Sequence, residues 1–370
     1  MDSSKLAKKI LILSANPKNT DRLRLDEEVK VIRHELRLGD KSYDLPEERG
    51  AITATDLRRE ILELEPDIVH FSGHGNSQGL MLEDKDGNSR TVPSETLATL
   101  FKIFAEDFKI CCVVLNVCSS ENQARAIAAH IDYVIGMRTT ITDKAAINFS
   151  EGFYNGLARG KAILFSYQLG CSSIEFEKPV EKSTPILITK LDCKLVELEK
   201  RIELDPKNAS LWRKKADILK ELGRNEESAQ SYEMALTLEP GNYKTLSQQG
   251  AVLAKDEMYE EALDSYNRAT ELEDRDYKVW RKKGLTQVKL GQLTEASASY
   301  ERAIALKPPV ADLYIILVEQ SSILQALHEF QKSIELCQQA LKTKPTYRAA
   351  KYEQRRAYSK RFKERIKNST

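Results

Sequence analysis

Three series of residues keep one interval through the second half of this chain. Tyr232, Tyr266 and Tyr300 are 34 residues apart, as are Ala235, Ala269 and Ala303, and Ala216, Gly250 and Gly284 keep step with them. A period near 34 with aromatic and small residues at fixed offsets constrains the fold more than any other feature. It marks a stack of repeated supersecondary units, each of which buries its apolar face only against its neighbours. Small residues at such places let paired helices approach closely, while each Tyr fills the space between neighbouring pairs. Pro206, Pro240, Pro308 and Pro345 fall where one unit should end, because Pro cannot continue a helix.

The first half has a different texture. From about Lys8 to Phe165, short apolar runs alternate with amphipathic stretches. Ile10 to Leu13, Ile68 to Phe71, Ile110 to Val117 and Tyr133 to Gly136 read as buried strands. Asp26 to Leu38 and Asp56 to Leu64 repeat their apolar residues every three or four positions and read as helices. The alternation predicts a mainly parallel sheet covered on both faces. Thr91 to Ser94 looks like a helix start, with Ser94 as its cap. Beyond Cys193 no strand-like run is legible.

Within the sheet-forming part, two residues stand where chemistry is built. His74 lies just past an apolar strand, between Gly73 and Gly75, and Cys118 closes a second one, Cys112 to Val117. Parallel strands deliver both residues to the carboxyl edge of the sheet, where α/β folds place their sites. Adjacent strands are about 4.8 Å apart, so the two side chains come within working reach. An imidazole beside a thiol favours the thiolate, a nucleophile for carbonyl carbon. A lone Cys ending a strand is more often a core thiol, and it is the histidine motif that tips the reading towards catalysis. Cys111, Cys112, Cys171 and Cys193 read as structural, His70 as packing, and His34 and His130 as surface residues.

Composition narrows the function classes. A length of 370 residues suits two domains. A charged fraction of 31% exceeds the usual value of about 25% and points to long solvated helix faces. Formal net charge is +1, so no whole-chain field argues for nucleic acid or an anionic membrane. The tail from Lys342 to Lys367 carries eleven Lys and Arg against two Glu, which reads as a solvated cap. Six scattered cysteines lack zinc or redox spacing and suit a reducing compartment. No metal or other cofactor is expected. The start, Met1 to Lys9, is basic, and the run Ile10 to Leu13 is too short for a signal core or a membrane span, so a soluble, cytoplasmic protein is expected.

Taken together in their order, the motifs closely resemble the CHAT domains, a branch of the caspase-like cysteine proteases. The match runs from about Lys9 to Phe165. It includes the strand ending in Gly73-His74-Gly75, the acidic hairpin-like Gly79 to Asp84 and the strand ending in Leu115-Asn116-Val117-Cys118. Val134 to Arg138 and Ala145 to Phe149 continue it. The resemblance implies an α/β caspase-like three-layer sandwich with a mainly parallel sheet. It makes His74 the general acid/base and Cys118 the nucleophile, with the backbone amides of Gly75 and Cys118 as oxyanion donors. Related proteases that cut after Arg or Lys commonly carry Asp two residues before the catalytic Cys, and this chain has Asn116 there. Asn cannot neutralise a basic side chain, so Asp84 or Asp143 would have to supply that charge.

The repeats, from about 208 to 345, resemble tetratricopeptide repeats, which form an all-α solenoid. Trp212 and Trp280 stand near the start of their units, where that family often has Trp. Asp274 replaces an expected Pro, and Ala303 to Ala340 is 37 residues rather than 34. Lys190 to Pro206 reads as half a repeat, and Thr346 onward as a capping helix. The expected domains are 1–180 and 190–370. Such arrays bind peptides or partner helices along a concave face, here expected to present Arg213, Asp217, Lys220, Lys244, Lys255, Lys278, Arg281 and Lys289. Seven of these eight are basic and would suit an acidic peptide.

The sequence therefore predicts a regulated intracellular cysteine endopeptidase acting on protein substrates, whose repeats recruit substrate or a regulatory partner. Only about eight residues precede the first strand, so restraint is expected from the repeats rather than from a pro-segment. Family resemblance implies a role in bacterial defence or stress signalling. A catalytically silent scaffold acting through its repeats is the alternative. A flavodoxin-like domain would explain Ser14 to Pro17, but there is no Gly-rich phosphate loop.

Overall fold

A computed structural model describes residues 7–39 and 43–367, so residues 1–6 of the basic start lie outside the described residues. The chain divides into two compact units, Met1–Val196 and Glu197–Thr370.

In the first unit, the strands β1 (Ile10–Ala15), β2 (Glu47–Arg49), β3 (Ile68–Asn76), β6 (Cys112–Asn116), β7 (Tyr133–Met137) and β8 (Pro185–Thr189) form one sheet in the order β2-β1-β3-β6-β7-β8. All pairs are parallel except β7 with β8. The end of β3 leaves this plane to pair antiparallel with β4 (Gly79–Glu83), which pairs in turn with β5 (Ser89–Pro93). Because side chains alternate along a strand, the apolar run of β1 feeds two cores. Leu11 and Leu13 pack with α2 (Ala54–Leu64), α3 (Ser94–Asp107) and α4 (Glu121–Ala128). Ile10 and Ile12 pack with α1 (Leu25–Arg37), α5 (Asp143–Ala158) and α6 (Ile163–Glu177). The three layers expected from the sequence are present.

Local signals explain the ends of these helices, with one correction. Thr53 and Asp56 form a reciprocal capping box at the start of α2. Ser94 is not a cap, since α3 begins on it and Pro93, extended at φ −62° and ψ 154°, holds the N-cap position without a side-chain bond. β5 thus runs directly into its helix.

The second unit is helical throughout its described residues. The division falls within α7 (Lys190–Leu204), and four helix pairs follow: α8 (Ala209–Glu221) with α9 (Asn225–Leu238), α10 (Tyr243–Lys255) with α11 (Tyr259–Leu272), α12 (Tyr277–Lys289) with α13 (Leu293–Ala305), and α14 (Val310–Ala326) with α15 (Phe330–Thr343). A final helix, α16 (Arg348–Lys367), packs on the last pair. A Cβ on Gly250 would lie 3.0 Å from the Tyr266 ring, and one on Gly284 would lie 2.7 Å from the Tyr300 ring. Each of these tyrosines therefore fills a notch in the first helix of its own unit. Tyr266 also shares a core with Val279 of the next unit.

Departures from the period find simple accommodations. The fourth pair absorbs its extra residues in α14, which has 17 residues where α8, α10 and α12 have 13. Trp212 donates through Nε1 to the Pro206 carbonyl at 2.9 Å, and Trp280 donates to the Asp274 carbonyl at the same distance. Only a backbone acceptor is needed at that place, so Asp274 replaces Pro without loss of the contact.

β8 lies beyond residue 180 and pairs along the full length of β7, burying Ile186 and Ile188. Burial of a large aliphatic side chain stabilises by about 1.5 to 3 kcal/mol. A fragment ending after residue 196 should therefore unfold cooperatively in urea, whereas one ending at 180 should show a lower midpoint, the loss being several kcal/mol. Equal midpoints would show that β8 is not part of the cooperative unit.

Candidate active site

The geometry of the site begins with strand pairing. β3 and β6 are parallel and their ladder ends with Ser72 opposite Asn116; His74 and Cys118 each lie two residues beyond that pair. The sheet order reverses between β1 and β3, so these residues also lie beside the crevice at a topological switch point. Both line one cleft at the carboxyl edge of the sheet, together with Asn116, Glu28 and Asp143.

Backbone contacts set the histidine's tautomer. His74 Nε2 lies 2.6 Å from the carbonyl oxygen of Asp21, in the loop after β1. A carbonyl only accepts, so Nε2 carries the proton and Nδ1 is the basic nitrogen. The Cys118 thiol donates to the Ile141 carbonyl at 3.7 Å. A Cβ on Gly75 would lie 3.1 Å from Val117 Cγ2 and 3.4 Å from the Cys118 oxygen, so glycine lets the end of β3 lie against the cysteine turn.

That turn is held from beneath. Ser119 has a left-handed φ of 50°, a conformation that non-glycine residues hold only when their surroundings enforce it. Ser120, fully buried, donates to the carbonyls of Leu115 (3.1 Å) and Val117 (2.9 Å) and accepts from the Met137 amide (2.9 Å). Gln123 Nε2 donates to the Asn76 carbonyl at 2.6 Å, tying the start of α4 to the tip of β3.

Below the cleft sits a buried carboxylate that joins four elements. Glu28 Oε1, from α1, accepts from Asn116 Nδ2 (2.5 Å), Ser150 Oγ (2.6 Å) and His70 Nε2 (3.0 Å). His70 Nδ1 meets the Tyr154 hydroxyl at 3.1 Å. Burial by itself pushes the Glu28 carboxyl upward. The charge and hydrogen bond of His70, joined by the bonds from Ser150 and Asn116, outweigh it and hold the group below the usual carboxylate range. His70 packs as expected, and it also fixes this carboxylate.

The other residues singled out by sequence are distributed as follows. Asp143 lines the cleft and accepts from the Arg24 amide at 3.3 Å. Asp84 does not line the cleft and is corrected as a pocket residue. Its Oδ1 accepts from the amides of Asp86 (2.9 Å) and Asn88 (2.8 Å), and these bonds hold its carboxyl low and build the β4–β5 turn. Burial pushes the thiols of Cys111, Cys112, Cys171, Cys193 and Cys337 up. His34 is exposed and His130 is partly buried.

On the solenoid, Lys244, Lys255, Lys278, Lys289 and Asp217 are exposed. Arg213 pairs with Glu239, and Arg281 makes a two-pronged bond to Glu319 at 2.8 and 2.6 Å, so both charges are already met within the unit. Lys220 reaches Asp217 (3.3 Å) and Gln248 (3.2 Å). Lys282, absent from the sequence reading, reaches Ser247 at 3.3 Å, and burial together with Lys220 and Lys278 pushes its ammonium down.

Comparison with known proteins agrees with this architecture. The CHAT domain family matches residues 3–164, and tetratricopeptide repeats match 209–242 and 248–311. The chain carries a CHAT domain followed by tetratricopeptide repeats. A Roc-COR-CHAT protease from an unknown prokaryotic organism is 30% identical over 178 residues, which is 46% of this chain and 17% of that protein. A protein of Gillisia limnaea named "Probable protease" is 24% identical over 181 residues, 48% of this chain and 32% of that one. The chain thus spans less than a third of the length of either relative. Among solved structures, the tetratricopeptide protein YrrB aligns with a TM-score of 0.41 and 22% identity, covering 45% of this chain and 84% of that one. MamA of Desulfovibrio magneticus aligns at 0.40 and 16%, covering 43% and 88%. Among the described residues no helix is long and apolar enough to cross a membrane.

The Glu28 network makes a signed prediction about pH. A carboxyl held below its ordinary value of 4.5 contributes stability that is full above that value and lost as pH falls through the depressed one. Bonds to a charged acceptor contribute about 1.5 to 3 kcal/mol each. At pH near 7, Glu28→Gln should lower the urea stability by roughly that amount, and the gap to wild type should close as the pH falls well below about 4. A gap that stays constant with pH would show that Glu28 is not ionised in the fold.

Proposed function

We propose that the CHAT domain is a cysteine endopeptidase with His74 and Cys118 as its catalytic pair. One observation carries this reading: both side chains line a single cleft, and the bond from Nε2 to Asp21 leaves Nδ1 free to take a proton. In the proposed reaction, Nδ1 takes the thiol proton and the thiolate attacks the scissile carbonyl. A C–S bond forms, and the amides of Gly75 and Cys118 receive the oxyanion. Collapse breaks the C–N bond, with His74 returning its proton to the leaving amine. Water, deprotonated by His74, then attacks the thioester, and C–S cleavage releases the acid and restores the thiol.

The solenoid is the proposed recruiting surface. Exposed Lys244 and Lys278, with Lys220 and the half-buried Lys282, lie on the first helices of successive units and favour an acidic segment of a substrate or regulator. A role in bacterial defence or stress signalling, implied by the family resemblance, belongs to the same proposal.

The test is covalent labelling of the full chain. A peptidyl acyloxymethyl ketone should modify Cys118 alone among the six cysteines, because burial suppresses the other thiols. Loss of a general acid/base typically costs about 10²- to 10⁴-fold, and His74→Ala should slow labelling to that extent. Labelling spread over Cys118 and Cys171 and indifferent to His74 would sink the catalytic pair and favour the silent scaffold.

A further inference from the structure

The catalytic cleft is lined by acceptors, and one of them is buried without a partner. Asn116, 4% exposed, spends its amide nitrogen on Glu28 Oε1, the Ala146 carbonyl and Ser150 Oγ. A carboxylate only accepts, so the nitrogen must be the end that faces Glu28. The other end, Asn116 Oδ1, is buried and has no hydrogen-bond partner. A buried acceptor left unsatisfied costs about 1 to 3 kcal/mol, which a donor-bearing ligand would recover.

Two carboxylates stand with it. Glu28, 3% exposed, lines the same cleft, and the bonds from His70, Asn116 and Ser150 all end on its Oε1. Asp143, with about a third of its side chain exposed, lines the cleft nearer solvent. The guanidinium of Arg24, itself half exposed, already approaches this carboxylate at 3.8 Å while pairing with Glu27 at 3.1 Å. Between these acceptors the walls are apolar, formed by Leu23, Leu25, Ile141 and Ile147.

Apolar walls with acceptors and carboxylates suit a side chain that has an aliphatic stem and a cationic, donor-only head. An acidic side chain would meet Glu28, Asp143 and an unpaired acceptor, while Arg24, which also lines the cleft, is already shared between Asp143 and Glu27. A plain aliphatic one would leave Asn116 Oδ1 unsatisfied.

We infer that this cleft receives a lysine or arginine side chain of the substrate, at the residue preceding the scissile bond, through Glu28, Asn116 and Asp143. The inference rests on the endopeptidase reading for its placement beside the scissile bond. The Asp that related proteases carry at the position of Asn116 is replaced by a carboxylate reaching in from α1, with Asn116 as the link.

Two arms keep this inference and the endopeptidase reading separable. In the first, the full chain is labelled with acyloxymethyl ketones that differ only in Arg, Lys, Leu or Asp at the terminal residue. Arg and Lys probes should modify Cys118 at least about tenfold faster than Leu or Asp, the factor expected of roughly 1.4 kcal/mol. Glu28→Gln and Asp143→Asn should each shrink that ratio. The ratio is internal to each variant and does not depend on how much protein folds. In the second, Cys118→Ala full chain is titrated with acetylated peptides ending in Arg, Leu or Asp amide, which reads pocket affinity without chemistry. Tighter binding of the Arg peptide, weakened in the Cys118→Ala/Asp143→Asn double variant, supports the pocket even if no probe labels Cys118, in which case the endopeptidase reading alone falls. His74-dependent labelling at equal rates by all four probes, or a preference for Leu or Asp, overturns the pocket and leaves the endopeptidase reading standing. Failure of both arms removes both.

Discussion

Parallel pairing of β3 with β6 is the constraint on which the site depends. Its register, Ser72 on Asn116, carries His74 and Cys118 into one cleft, each two residues past the end of the shared ladder. A slip of one residue would turn every side chain of one strand to the other face. The slip is prevented from both sides, because Val69, Phe71, Val113 and Leu115 belong to one core while Ile68, Cys112 and Val114 belong to the other. The placement of these two side chains is thus held by hydrophobic burial of the strands that carry them.

A second constraint works through charge. Glu28 places a carboxylate beneath the cleft and draws donors from β3 (His70), β6 (Asn116) and α5 (Ser150) onto one oxygen. Removing such a group from water is costly unless its bonds are complete, so the four elements must be assembled together for the carboxylate to be tolerated. Site geometry and domain stability therefore share one set of contacts. The residue that links them, Asn116, is the one whose amide is pulled towards Glu28 and whose oxygen is left over.

The repeats obey a different logic. Each of the first three units closes on itself through a tyrosine in a glycine or alanine notch, and the fourth sets Cys337 against Ser321 instead. Such a stack tolerates local departures, and the longer α14 and the Asp274 substitution are absorbed where they occur. Its charges are not interchangeable, however. Arg213 and Arg281 are committed to Glu239 and Glu319, while Lys278 stays exposed and Lys282 is drawn inward, a distinction that the count of basic residues along the first helices cannot make.

How much was legible follows from the range of the interactions involved. Strand, helix and repeat positions are written in local patterns of apolar residues and in the 34-residue interval, since burial acts on periods of two, of about 3.6 and of one whole unit. His74 and Cys118 were legible because each ends an apolar strand, and strand order then carried both to one edge. β8 was not, because a five-residue antiparallel edge strand after two helices has no distinguishing period. Nor were the Asp21 carbonyl, Glu28 or Ser120. A backbone oxygen has no side-chain signature, Glu28 reads as one more acid on an amphipathic helix, and Ser120 reads as a polar residue in a turn. By itself, then, the sequence determined the two architectures and that His74 and Cys118 end strands whose order carries them to one edge. Tertiary structure alone decided which proton His74 holds, which carboxylates face the cleft and which basic side chains remain unspent. Those outcomes depend on contacts between residues 42 to 122 positions apart, which no local pattern encodes.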